Sequence, residues 1–198
     1  MDPGRRRSLL AAAAAEFAQA GYQRASLNRV IGECGMSKSS FYHYFDSKEA
    51  LFDAVVDECG TALLDALDPP DPADLESGFW EAVSDLTGRL AELSQRSGED
   101  RWSVDFGRIF ALEDAPPGGA LDRARGALDT WLTAALAAGR RSGAVRDDLP
   151  AALQAHLALV VLRAMDEWTL RHLDTLTAAE IEQVVTAQLD ALRRLLAA

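Results

Sequence analysis

Long apolar stretches, clustered cysteines and strand-like alternation are all missing from this chain of 198 residues. The apolar runs at residues 9–15 and 157–162 are much shorter than the roughly 18 residues that suggest a membrane span, so we expect no contact with a membrane. The only two cysteines, Cys34 and Cys59, lack metal-ligand spacing and are expected to be free thiols in a reducing cytoplasm. Arginines precede an alanine-rich run near the start, but Glu16 interrupts that run and no cleavage-like site follows it. No targeting segment is therefore predicted.

Signatures of catalysis are missing as well. The sequence has no nucleophile elbow, no glycine loop for a phosphate and no His, Cys or carboxylate cluster at metal spacing. The adjacent acids Asp166 and Glu167 would point about 100° apart on a helix, an unsuitable arrangement for an acid–base pair. We predict no catalytic residues, no metal site and no cofactor, and a helical enzyme is the least favoured alternative.

Lysine is scarce, and its placement is informative. The chain has a net charge of −11 and only two lysines, Lys38 and Lys48, both within the first 50 residues. Those 50 residues carry a net charge of +2, whereas the remainder carries −13. A locally basic end on an acidic body suits the binding of phosphates, although an acidic protein with a nearly neutral first segment would have the same charges.

The sequence predicts an all-α protein with about nine helices and no sheet. Apolar residues recur at helical spacing from Leu10 to Phe17, and Gly21 ends that first pattern. A stripe that runs from Leu75 through Phe79 to Leu93 at spacings of three and four predicts a strongly amphipathic helix after Pro72. Thr177 and Glu180 form a capping box before the last apolar pattern.

The most informative segment is residues 26–51. A short helix, a turn with Gly35 and a second short helix from Ser37 match a helix-turn-helix. In the second helix, Phe41 and Phe45 share one face, while the early residues are short, polar or basic. A recognition helix has this division, with one face anchored in the domain and the other directed at base edges and phosphates. A helical subdomain that only packs is the alternative.

This segment resembles the TetR family of transcriptional regulators. The resemblance rests on Phe17, Gly21-Tyr22, Ser26, Val30, residues 35–38 and residues 41–51, and it covers roughly residues 5–55. It implies an N-terminal three-helix DNA-binding domain, taken as residues 1–48. The residues that it assigns to DNA are Ser26, Ser37, Lys38, Ser39, Ser40, Tyr42, His43, Tyr44 and Lys48, the last one on a phosphate. Two positions depart from the family pattern. Ile31 stands where the family usually has a small alanine, and Ser26 stands where threonine is commoner.

The same resemblance implies a helical body, residues 49–198, that binds an effector and forms a homodimer through its last two helices. The wide apolar faces of residues 151–173 and 178–197 suit a four-helix bundle with a partner, or simply cover the core of a monomer. The predicted interface consists of Leu157, Val161, Trp168, Val185, Leu189 and Leu192. Aromatic residues give the only indication of an effector site, predicted at Phe79, Trp80, Trp102, Phe106, Phe110, Trp131 and Met165. His156 is expected to be a core histidine rather than a ligand residue.

The resulting hypothesis is a cytoplasmic repressor that binds palindromic double-stranded operator DNA as a homodimer. A small, largely apolar molecule of unknown identity would release it. The main alternative is a regulator of the same fold without a small-molecule effector, which responds to a protein partner or is constitutive.

Overall fold

The computed structural model describes residues 2–95 and 101–198, and the secondary structure of this part of the chain is helical. The α-helices in it are α1 (Pro3–Arg24), α2 (Leu27–Glu33), α3 (Lys38–Tyr42), α4 (Lys48–Leu67), α5 (Phe79–Ser94), α6 (Trp102–Phe110), α7 (Ala120–Arg141), α8 (Ala151–His172) and α9 (Ala178–Leu196). Two short 3-10 helices span Pro72–Glu76 and Leu173–Thr175. The predicted all-α fold of about nine helices is confirmed.

Capping residues and glycines mark most of the helix starts and ends that the sequence predicts. The Ser26 and Ser37 side chains cap α2 and α3, and Thr177 with Glu180 forms the predicted capping box of α9. One prediction was wrong, because the apolar stripe that starts at Leu75 is not one continuous helix. Gly78 has a φ of 76°, which separates the 3-10 helix from α5.

The described residues form two compact units. The first takes the chain up to residue 63 together with residues 101–125, and the second takes residues 64–95 together with 126–198. This grouping follows contacts within the chain, so the predicted functional boundary between residues 48 and 49 stays a prediction.

The core of the first unit is built around aromatic rings from α1 and α4. Phe17 and Phe52 meet edge to face with 4.9 Å between ring centroids, and Tyr22 meets Phe52 in the same way at 5.1 Å. Phe106 of α6 packs beside Gly60 of α4, where an added Cβ would lie 3.5 Å from the ring. The helices that carry the DNA-binding candidates are therefore packed in one core with part of α4 and α6.

In the second unit, α5, α8 and α9 pack around buried apolar side chains. Phe79 and Val145 approach Gly139 so closely that a Cβ there would lie 2.5 Å from a Val145 methyl carbon. The fully buried Gln154 is satisfied, because its amide nitrogen donates to the Arg146 carbonyl and its oxygen accepts from Arg140. None of the helices among the described residues is long and apolar enough to cross a membrane.

Both cysteines are free thiols, as predicted, and Cys59 is buried in α4. Burial, together with the nearby carboxylates of Glu58 and Asp105, raises the pKa of Cys59 from about 9 to about 11. We expect iodoacetamide at pH 8 to leave Cys59 unmodified in the folded protein, since the thiolate is the reactive form. The half-buried Cys34 serves as the internal comparison, and mass spectrometry of digested samples measures both sites.

Between about pH 9 and 11 only the unfolded chain ionises Cys59, so its contribution to stability is lost as the pH rises through this window.

A candidate nucleic-acid interface

The turn between α2 and α3 brings these two short helices together as a helix-turn-helix. Gly35 adopts a φ of 57°, and the Met36 amide donates to the Ile31 carbonyl at 3.0 Å. Ile31 is buried in the core, which accommodates this departure from the small residue of the family pattern. Phe41 is fully buried, and Phe45 stacks on it with 5.8 Å between ring centroids. Phe41 therefore anchors α3 in the core, whereas Phe45 lies three residues beyond Tyr42, the last residue of this helix.

The opposite side of α3 is exposed and polar. Tyr42 and Tyr44 are 53% and 44% exposed, so both phenol rings are accessible from solvent. Ser39, Ser40, Tyr42, His43 and Tyr44 together line an open depression. The Ser37 hydroxyl accepts the Ser40 amide at 3.1 Å as the helix cap, and residues 37–40 are all exposed. Hydroxyls, an imidazole and an ammonium on one surface can bond to phosphates and to base edges.

Lys48 has a structural role that its sequence position does not reveal. Its Nζ atom donates to the carbonyl of Gln23 at 3.0 Å and to that of Ala25 at 2.9 Å, and it lies 4.9 Å from the Tyr22 ring centroid. An ammonium has three N–H groups, so one is left for the predicted phosphate. The predicted DNA contact of Lys48 stays a prediction beside this observed role.

Ser26 is held in place by a buried carboxylate that the sequence analysis did not assign to the site. Oε1 of Glu16 accepts the Ser26 amide at 2.7 Å, and its Oε2 lies 3.2 Å from Nη1 of Arg29. Glu16 is only 6% exposed, so the pair fixes the start of α2 from within the core. The signal was present in the sequence, since Glu16 shares the helical face of Ala13 and Phe17.

The residues of the predicted dimer interface differ in their exposure. Trp168 is 43% exposed, whereas Leu192 is 5% exposed and packs in the core of its own unit. The assignment of Leu192 to an interface stays a prediction. The other four, Leu157, Val161, Val185 and Leu189, are half-buried. Leu153 and Val160, which the predicted interface does not include, are 45% and 51% exposed in α8. His156 is exposed, which corrects the prediction of a core histidine.

The predicted effector residues are divided between the two units. Trp102, Phe106 and Phe110 belong to the apolar cluster of the first unit, in α6. Phe79, Trp80, Trp131 and Met165 belong to the cluster of the second unit. A single effector site made of all seven residues stays a prediction.

The indole N–H groups of the two predicted effector tryptophans in the second unit are already hydrogen-bonded. The indole Nε1 of Trp80 donates to the Ala144 carbonyl, and that of Trp131 donates to the Pro70 carbonyl, both at 3.0 Å. A second open depression, besides the one at α3, is lined by α9 residues alone and by none of the predicted effector residues. Among residues 2–95 and 101–198, no group of three or more His, Cys, Asp or Glu side chains is arranged to hold a metal ion.

Known proteins match the first part of the chain in sequence and all of it in fold. Residues 9–55 match the family described as bacterial regulatory proteins, tetR family. An uncharacterized HTH-type transcriptional regulator, YdgC of Bacillus subtilis, is 45% identical over 47 residues, which are 24% of each chain. The A-factor receptor protein of Streptomyces griseus is 38% identical over 52 residues, which are 26% of this chain and 19% of that protein. The match thus spans about a quarter or less of these two relatives.

The solved structures extend the likeness in fold beyond the first domain. A crystal structure described as a putative tetR family transcription regulator, from Shewanella sp. PV-4, has a TM-score of 0.71 at 16% identity and covers 98% of both chains. A TetR-family regulator from Agrobacterium tumefaciens also has a TM-score of 0.71, at 17% identity and the same coverage. These relatives are regulators, in agreement with the prediction that the chain is not an enzyme.

Proposed function

We propose that this member of the tetR family of bacterial regulatory proteins acts as a transcriptional repressor that occupies operator DNA as a homodimer. The observation that carries the proposal is the two-sided α3, with Phe41 fully buried and Tyr42 exposed on a polar surface. The family match over residues 9–55 supports the same use of this surface. Because the target is chromosomal DNA, the cytoplasm is the proposed location.

Within this proposal, base readout comes from Lys38, Ser39, Tyr42 and His43. Capping, packing or phosphate binding is the proposed main role of Ser37, Ser40, Tyr44 and Lys48. Lys38 and Tyr42 are exposed at the start and the end of α3. Side chains at such positions can enter the major groove, where each good bidentate contact discriminates by about 1–3 kcal/mol. Ser26 contributes through the cap of α2.

The test of this function begins with selection of binding sites from a random duplex library by the purified protein. Enrichment of a palindrome is expected, and a library that stays random would contradict the proposal. Tyr42→Ala should then lower the ratio of specific to non-specific affinity by about tenfold, as expected for the loss of one base contact. Glu33→Ala, an exposed substitution in α2 outside the proposed contacts, is the matched control, and circular dichroism verifies that both variants are folded.

For the effector, we propose the aromatic cluster of the second unit, Phe79, Trp80, Trp131 and Met165. Three of the four are only partly buried, so the cluster has apolar surface to offer. Since both indole N–H groups are bonded to backbone carbonyls, the site has few free donors and suits a neutral, largely apolar ligand. Ligand-dependent quenching of tryptophan emission, lost in Trp131→Phe and accompanied by release of DNA, would support this site. Release of DNA by a ligand whose affinity ignores Trp131 and Trp80 would contradict it.

A further inference from the structure

The turn at residues 21–26, between the regular part of α1 and the cap of α2, is held by charged side chains from three separate elements. We call these residues the 21–26 turn. Gly21 opens it with a φ of 76°, a conformation that glycine adopts readily. The turn leads directly into α2, and therefore sets where the helix-turn-helix begins.

Asp114, in the segment between α6 and α7, accepts hydrogen bonds from two backbone amides of this turn. Its Oδ1 accepts the Tyr22 amide at 3.1 Å, and its Oδ2 accepts the Gln23 amide at 2.8 Å. The Asp114 carbonyl also accepts the Gln23 side-chain amide at 3.4 Å. A Cβ at Gly21 would lie 3.0 Å from Oδ2, so the carboxylate is fitted against this glycine. Hydrogen bonds to an ionised carboxylate are stronger than neutral ones.

Two more charged side chains, one from α4 and one from α1, bind further backbone groups of the turn. Lys48 takes the carbonyls of Gln23 and Ala25, and Glu16 takes the Ser26 amide. Backbone N–H and C=O groups of the 21–26 turn are thus bound by three charged side chains, those of Asp114, Lys48 and Glu16. The position of the turn depends on all three elements at once.

The segment that carries Asp114 is itself tied to its surroundings in the first unit. Arg125 of α7 donates to the carbonyls of Phe110 and Leu112, at 2.6 and 2.7 Å. Asp53 of α4 accepts the Ala120 amide at 2.9 Å, which fixes the start of α7. A displacement of α6 or of the start of α7 would therefore move the Asp114 carboxylate.

We propose that Asp114 is a positioning residue for DNA recognition, which sets the placement of α2 and α3 through the 21–26 turn. The inference rests on the proposed DNA-binding function and names a residue far from the DNA-facing surface in sequence. Loss of the carboxylate would leave the polar side chains of α3 intact but place them less well against base edges. Contacts that require accurate placement would weaken more than contacts to phosphates, which carry no sequence information.

The test compares Asp114→Ala and Asp114→Asn with Asp122→Asn. Asp122 is the matched control, because its carboxylate also accepts an amide in the same segment, that of Gly118 at 2.6 Å, without touching the 21–26 turn. Hydrogen exchange should show the amides of Tyr22 and Gln23 exchanging roughly fivefold faster in Asp114→Ala. Specific affinity for the selected site should fall about tenfold, with non-specific affinity unchanged. Asp114→Asn, which keeps one acceptor oxygen, should lie between the wild type and Asp114→Ala.

A purely structural role would instead reduce the folded fraction and lower specific and non-specific binding together. That outcome overturns the proposal, as does an unchanged ratio of the two affinities in a variant whose Tyr22 and Gln23 amides exchange faster. Asp122→Asn with the same loss of specificity would also overturn it. If the wild type selects no site and has no preferred sequence, the proposed function fails instead, and the exchange measurement still reports whether Asp114 holds the turn.

Discussion

A glutamate in place of Val160 is expected to give a folded monomer whose apparent affinity for a palindromic site is lower by about a hundredfold or more, because bivalent binding is lost. Val160 is 51% exposed in α8, so the substitution should cost little folding stability. Leu153 and Trp168 lie seven and eight residues away, on the same side of the helix, and are also exposed. The added carboxylate would have to be buried in the proposed dimer, which is costly.

Leu128→Glu supplies the matched control for this experiment. Leu128 is 42% exposed in α7, so the variant adds the same charge at a similarly exposed apolar residue outside α8 and α9. Sedimentation equilibrium gives the mass of each variant, and binding to a palindrome and to a single half-site gives the affinities. Half-site affinity should be unchanged in Val160→Glu. A wild-type protein that sediments as a monomer at micromolar concentration would contradict the proposed dimer, as would a Val160→Glu dimer.

The sequence predicted the local structure of the DNA-facing region well, because its determinants are local. The cap at Ser37, the turn at Gly35 and the four-residue spacing of Phe41 and Phe45 are each readable within ten residues. The structure has Ser37 as the cap, Gly35 at positive φ and Phe41 buried. Spacing of this kind establishes which side of a helix is apolar.

Spacing does not establish which element covers that side. Leu192 lies on an apolar face of α9 that its own unit buries, whereas Val160 of α8 is left exposed. The aromatic residues of α6 and of α5 have similar helical spacing but belong to different clusters. Asp114 could not be assigned from its neighbours in sequence, since its hydrogen-bond partners are 91 and 92 residues away.

Lys48 was assigned to a phosphate from its local sequence, and the structure adds contacts to residues more than 20 positions away. Its substitution gives the second prediction of large effect. Lys48→Met removes the ammonium that binds the carbonyls of Gln23 and Ala25, and Ala25 is buried. Hydrogen bonds to charged groups contribute more than neutral ones, and a buried carbonyl without a partner is costly, so we expect the free energy of unfolding to fall by about 2 kcal/mol. Methionine keeps most of the aliphatic length, which limits the loss of packing against the Tyr22 ring.

Lys38→Met is the matched control, because Lys38 is the only other lysine of the chain and is exposed on α3. Its stability should match that of the wild type within about 0.5 kcal/mol, as for other exposed positions. In DNA binding, Lys48→Met should flatten the dependence of log K on log salt by about one unit, since Lys48 is proposed to neutralise one phosphate, whereas Lys38→Met should mainly lower the preference for the selected site. Urea unfolding and binding titrations at several salt concentrations measure the two effects separately. If Lys48→Met loses stability but keeps the wild-type salt slope, the third N–H group of Lys48 does not reach a phosphate, and its function is to hold the 21–26 turn alone. A variant with unchanged stability would contradict the role of Lys48 in that turn.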